Sequence, residues 1–224
     1  MKTGRLIRGL LPWRPLLGAL ALLCAFELQA AAQPQHIAIA SAHPAATVAG
    51  QETLALGGNA FDAAVAISAA LAVVEPYGSG LGGGGFFLLR QPGNTDQSYR
   101  FIDARETAPL DAGRDLYRDS DGVVQRGPAI NGPMAAGIPG VPAALAHLAE
   151  HYGKLPLSQS LAPAIAAAEN GFAISEHYRT LAGYRLEVMN RYPDTARIFL
   201  RDGQLPETGT LVQQPELANT LRAM

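Results

Sequence analysis

A single cysteine, Cys24, stands in the 224 residues, and charged side chains make up 16% of them against 48% hydrophobic. One thiol cannot build a disulfide scaffold. So apolar and weakly charged a chain is not a disordered tail. No three-residue or heptad period runs through it, so collagen and coiled-coil architectures are excluded. Basic surplus is missing as well: 17 Lys and Arg face 19 Asp and Glu. With nothing clustered to collect phosphate contacts, a nucleic-acid partner is disfavoured. What remains is enough chain for one ordinary domain, or the larger part of one, around a buried core.

The N-terminus is organised differently from the rest. Lys2, Arg5, Arg8 and Arg14 come before an apolar run from Leu16 to Phe26, and Ala30, Ala31 and Ala32 follow. The run is shorter than the roughly 20 residues a membrane span requires. This pattern predicts a signal peptide over residues 1–30 and a protein that is periplasmic or secreted. A lipoprotein anchored at Cys24 is opposed by the bulky Leu23 before it, and a retained anchor is the remaining alternative. Beyond residue 30 the chain holds 13 basic and 18 acidic residues and no cysteine. Its net charge is then near −5, and a thiol nucleophile and cysteine-ligated metal are excluded there.

Along residues 31–224, Ile37–Ala40 has the character of a short buried strand. His43-Pro44 opens an Ala-rich helix closed by Gly57-Gly58, and a second helix is predicted from Ala60 to Val74, stopped by Pro76. The glycine-rich stretch Gly78–Gly85 feeds Phe86-Phe87-Leu88-Leu89, which has the composition of a buried strand. A turn at Pro92-Gly93-Asn94 and a strand from Ser98 to Asp103 complete a hairpin. Asp121-Gly122 marks another turn. Val141, Leu145, Leu148 and Tyr152 share a helix face, a further helix covers Leu157–Asn170, and another begins near Ser175. Pro215 suits a first helical turn, and the amphipathic pattern of Leu217–Met224 stops without a cap, as in an interrupted chain. The order of elements argues for an α+β or α/β layered domain.

Four motifs bear on chemistry. Gly78-Ser79-Gly80-Leu81-Gly82-Gly83 has the letters GxGxxG, but a dinucleotide site needs a strand before it and a helix after it, and here the order is reversed. Its glycines permit close approach, either to a ligand or to neighbouring backbone. His147-Leu148-Ala149-Glu150-His151 matches the zinc pattern HxxEH. Its polar residues, however, lie opposite the apolar face of their helix, which fits a wet polar stripe better. Asp119-Ser120-Asp121-Gly122 opens like a calcium loop but lacks the later acids, and is expected to be a turn. Arg105, between Asp103 and Glu106, either clamps a substrate carboxylate or forms a structural ion pair with those two acids. Chemistry alone leaves both open.

Several stretches taken together resemble the gamma-glutamyltranspeptidase family. They are His43–Thr47, Gly57-Gly58-Asn59-Ala60-Phe61-Asp62-Ala63-Ala64, Val74-Glu75-Pro76, Gly78–Phe86, Asp103-Ala104-Arg105-Glu106-Thr107-Ala108-Pro109 and Gly137–Pro142. The likeness continues through Tyr152–Leu157, Asn170-Gly171-Phe172 and Gln213–Leu217, so it covers nearly everything after residue 30. It implies an N-terminal-nucleophile hydrolase of αββα sandwich type, incomplete in this chain, with residues 31–224 forming the N-terminal portion of a large subunit. An autoprocessing precursor is implied, whose nucleophile is a threonine freed at the start of a small subunit. That threonine is absent from this chain, so the fragment alone is expected to be inactive. The implied reaction moves the gamma-glutamyl group of glutathione or a related compound to water or an amino acceptor. Arg105 is implied as the residue that binds the glutamyl α-carboxylate. No metal or organic cofactor is expected, and the expected partners are the substrate and the missing C-terminal part. The alternatives are a related acylase of the glutaryl or cephalosporin type and a catalytically silent exported binding module.

Overall fold

The computed structural model describes residues 37–91 and 98–224. The expected signal peptide and the Pro92-Gly93-Asn94 turn lie outside them. Residues 39–224 form one compact unit.

The first helix, α1 (Pro44–Ala55), starts where His43 lends its Nδ1 to the Ala45 N–H at 3.1 Å and proline fills the first helical position. It ends at Gly57, whose φ of +94° lets the chain turn in the left-handed region. The second, α2 (Ala60–Val74), is the centre of the core. Asn59 and Asp62 close a reciprocal capping box at its start, and Ala63, Val65, Ala66, Ala69, Ala70, Ala72, Val73 and Val74 are all buried. A helix apolar on nearly every side has to be surrounded. Its alanines allow α1, α4 (Val141–Tyr152) and α5 (Leu157–Asn170) to approach closely. Leu145, Leu148 and Leu161 fill the seams between them at 0–1% exposure, each contributing roughly 1.5–3 kcal/mol of burial.

After α2 the chain forms an antiparallel hairpin, β1 (Gly85–Arg90) with β2 (Tyr99–Ala104), registered Phe87 to Ile102 and Gly85 to Ala104. A short helix, α3 (Arg126–Ile130), and a 3-10 turn (Pro133–Ala135) lead to α4. Beyond α5, β3 (Phe172–Ala173) pairs antiparallel with β4 (Leu211–Val212), bracketing α6 (Glu176–Gly183), α7 (Leu186–Arg191) and α8 (Pro193–Phe199). The last helix, α9 (Pro215–Ala223), packs on α5. Gln214, just ahead of it, donates its side-chain amide to the Val73 carbonyl at 2.8 Å, satisfying a buried acceptor in the last turn of α2.

Two expectations need correction. Residues 37–40 form no strand, because no described strand offers them a partner, and Ile37, Ala38 and Ala40 are exposed. Phe86–Leu89 does form a strand, yet it is buried on one face only. Leu89 is buried, whereas Phe86 and Leu88 are 56% and 72% exposed. Helices cover one side of the hairpin. On its other side the Phe86 and Phe101 rings stack at 5.7 Å with no described residue above them.

Candidate functional site

Arg105 is the first residue beyond β2. Its backbone N–H donates to Asp103 Oδ1 at 3.0 Å, a local turn that fixes the chain as it leaves the strand. Of the two alternatives, the structural ion pair with Asp103 and Glu106 is not formed. Among the described residues the Arg105 guanidinium has neither an ion pair nor a hydrogen bond, and the residue is exposed. The backbone around it is held by several hydrogen bonds.

Three segments meet beneath it. The Gly83 carbonyl accepts from the Gly140 and Val141 N–H groups at 3.1 and 3.3 Å. Thr107 and Ile138 exchange both backbone hydrogen bonds, at 3.1 and 2.8 Å. The glycine-rich loop therefore holds the start of α4, and the segment before α4 holds the chain just past Arg105. Next to this junction Glu106, Thr107, Pro109, Tyr117, Ala136 and Gly137 line an open depression of about 450 Å³. Tyr117 fixes one wall by donating to the Met134 carbonyl at 2.6 Å.

The glycine-rich loop lies between α2 and β1, the reverse of the order a dinucleotide site requires. Its beginning is organised by Glu75, which is 8% exposed. The Glu75 backbone carbonyl accepts from Gly78 and Ser79, and its carboxylate from the Tyr77 and Ser79 hydroxyls at 3.3 and 3.5 Å. Burial raises the Tyr77 pKa, and the neighbouring Glu75 charge adds to that shift. Tyr178, edge-on to Tyr77, is pushed up to about 12 by burial first and by Tyr77 second. Neither phenol ionises near neutral pH.

The remaining motifs lie elsewhere. His147 and His151 stack on each other at 4.2 Å on the exposed side of α4, and His151 Nδ1 is 3.9 Å from Glu150. Among the described residues no three His, Cys, Asp or Glu side chains converge as metal ligands. Asp119 accepts from the Asp121 and Val123 N–H groups within its turn, where Gly122 has φ +79°.

A role that sequence reasoning missed belongs to Asp62. It is fully buried, and besides the Asn59 N–H it accepts from Lys154 and Leu155, with distances between 2.7 and 3.2 Å. Asn59 adds a bond to the Tyr152 carbonyl at 2.7 Å. The N-x-x-D letters of Asn59-Ala60-Phe61-Asp62 signal the cap, but nothing local announces that it also clasps the end of α4.

The family model described as Gamma-glutamyltranspeptidase matches residues 46–224. A glutathione hydrolase proenzyme of Pseudomonas sp. (strain A14) is 36% identical over 210 residues, covering 91% of this chain and 36% of the relative. The crystal structure of Helicobacter pylori gamma-glutamyltranspeptidase superposes with a TM-score of 0.78 at 36% identity, over 85% of this chain and 54% of the other. A cephalosporin acylase from Bacillus halodurans superposes with a TM-score of 0.68 at 28% identity, over 86% of this chain and 38% of that one. The chain spans about a third of the length of the curated relatives it matches.

Proposed function

The chain belongs to the gamma-glutamyltranspeptidase family, and from that premise we propose that it is the N-terminal part of the large subunit of an exported, self-cleaving enzyme. Its fold is α+β, an incomplete N-terminal-nucleophile hydrolase sandwich. In this reading the nucleophilic threonine lies in a region the chain does not contain. Its hydroxyl oxygen attacks the γ-carbonyl carbon of a gamma-glutamyl amide, its proton passing by way of the threonine's own α-amino group to the departing amine. The C–N bond breaks and a gamma-glutamyl ester remains. Water or an acceptor amine then attacks that ester and restores the hydroxyl. The residue this chain contributes is Arg105, which holds the α-carboxylate of the glutamyl group in a bidentate grip.

One observation carries the proposal: an arginine whose backbone is fixed on both sides while its guanidinium has no hydrogen-bond or ion-pair partner among the described residues. Such a cation is available to an anion supplied by a ligand. Export, to the periplasm or outside, rests on residues 1–30. Among the described residues no helix is long and apolar enough to cross a membrane.

The test uses the complete, processed protein with glutathione. Arg105→Ala should raise KM roughly 10- to 100-fold, the loss expected for hydrogen bonds to a charged group. An unchanged KM rejects the role. A second reading, an acylase acting on glutaryl amides, draws on the likeness to the cephalosporin acylase. A glutaryl amide keeps the chain length but lacks the α-amino group, so faster turnover of glutaryl amides than of glutathione favours the acylase.

A further inference from the structure

Within the glycine-rich stretch the glycines do not have equal room. A Cβ built on Gly82 or Gly85 meets nothing within 4 Å, and one on Gly80 only grazes the Gly82 nitrogen at 3.9 Å. A Cβ on Gly84, by contrast, would stand 2.7 Å from the Arg105 Cα and closer still to the Glu106 amide nitrogen and carboxylate. Gly140 presses from the other side. Its Cβ would lie 2.6 Å from the Ala104 carbonyl carbon and nearer yet to the carbonyl oxygen. Gly137 is a milder case, 3.1 Å from both Glu106 Cγ and the Thr107 carbonyl oxygen. Side chains can swing away from such overlaps, but backbone atoms cannot, and the nearest atoms at Gly84 and Gly140 belong largely to the backbone of residues 104–106.

We infer that Gly84 and Gly140 are positioning residues: their missing side chains form the seat that sets where the Arg105 backbone, and so its guanidinium, is presented to a carboxylate. This rests on the reading of Arg105 as the α-carboxylate clamp. None of these glycines needs positive φ, since the left-handed glycines are Gly57, Gly122, Gly132, Gly171, Gly203 and Gly209. Close approach is therefore the reason for glycine here. A shift of about an ångström at the Arg105 Cα is enough to spoil a two-pronged contact with a planar carboxylate.

The experiment is an alanine series in the complete, processed protein, reading KM and kcat for a gamma-glutamyl donor together with thermal unfolding. Gly84→Ala should raise KM about tenfold or more while kcat changes less than about threefold, because seating loss acts on binding. Gly137→Ala should raise KM by a smaller factor, and Gly82→Ala should leave it unchanged. Gly153→Ala is the control for a merely structural clash. Its Cβ would meet Asp62 Oδ1 at 2.5 Å, remote from Arg105 in the clasp between α2 and α4, so it should lower the unfolding temperature without moving KM. Added to Arg105→Ala, Gly84→Ala should change KM by less than about twofold, since both act through one contact.

An unchanged KM in folded Gly84→Ala, with Arg105→Ala still impaired, overturns the inference and leaves the functional reading standing. An unchanged KM in Arg105→Ala removes both. If Gly84→Ala does not mature, Gly137→Ala decides: a raised KM with normal unfolding supports the seat, and a normal KM overturns it.

Discussion

The helical block and the hairpin sit side by side, but only the first is closed by its own residues. Along α2 most apolar side chains are buried, the carboxylate of Asp62 is fully buried with several N–H partners, and the last turn is completed by Gln214. The hairpin has one covered face and one bearing Phe86, Leu88 and Phe101 at 56–72% exposure with no described residue over them. Arg105 lies where the two meet. If Arg105 binds the substrate as proposed, the difference teaches that stability and recognition are handled by separate groups of residues. The helical block supplies a rigid floor, and the cation at its border contributes nothing to that rigidity.

The sharpest way to break this division is Asp62→Ala. It leaves the part-buried Asn59, Lys154 and Leu155 N–H groups without their acceptor, at a cost of about 3 kcal/mol. Denaturant unfolding should show that loss, with KM unchanged in whatever fraction folds. A KM shift as large as that of Arg105→Ala would mean that the floor and the clamp are one unit.

A smaller effect is expected from His43. Burial holds its pKa below the ordinary value of 6.5, against the opposing pull of Glu75. The folded state thus favours the neutral ring, whose Nδ1 accepts the Ala45 N–H. This contribution is fully present above pH 6.5 and declines as the pH falls through the lower, folded-state pKa. His43→Asn retains a capping oxygen and removes the titration. It should flatten the fall of the unfolding temperature below pH 6.5 while leaving the value at pH 7.5 nearly unchanged.

The least effect on stability should come from Arg105→Ala itself. With no partner to lose among the described residues, its unfolding free energy should stay within about 0.5 kcal/mol of the parent. A drop of 2 kcal/mol or more would reveal a structural bond and weaken the contrast between the two regions.

Much of the helical block was legible in the sequence, because its helices are punctuated by residues with strong local preferences. His43-Pro44, Gly57-Gly58, Pro76, Gly171 and Ser175 mark boundaries that the structure keeps within a residue or two. The hairpin was legible in outline, but its burial was not: Phe86–Leu89 is continuously apolar, and such a run does not reveal which face finds a cover. Ile37–Ala40 failed for the related reason that a strand depends on a partner, which no local pattern can supply. At the site, the position of Arg105 between two acids left its state undetermined, and only the geometry showed the pair to be unmade. Nor could the letters distinguish Gly84 from Gly82, since their difference lies in residues 104–106 folding back over one and not the other.

The tie from Gln214 to Val73 also has a consequence for how the chain is made. Val73 leaves the ribosome early, and its partner arrives 141 positions later. The clasp at the other end of the same helix waits for Lys154, 92 positions on. Contacts so far apart along the chain form slowly. A polypeptide synthesised from its amino end therefore keeps its most apolar helix unsealed until late, and that interval is when its apolar side chains are open to wrong contacts.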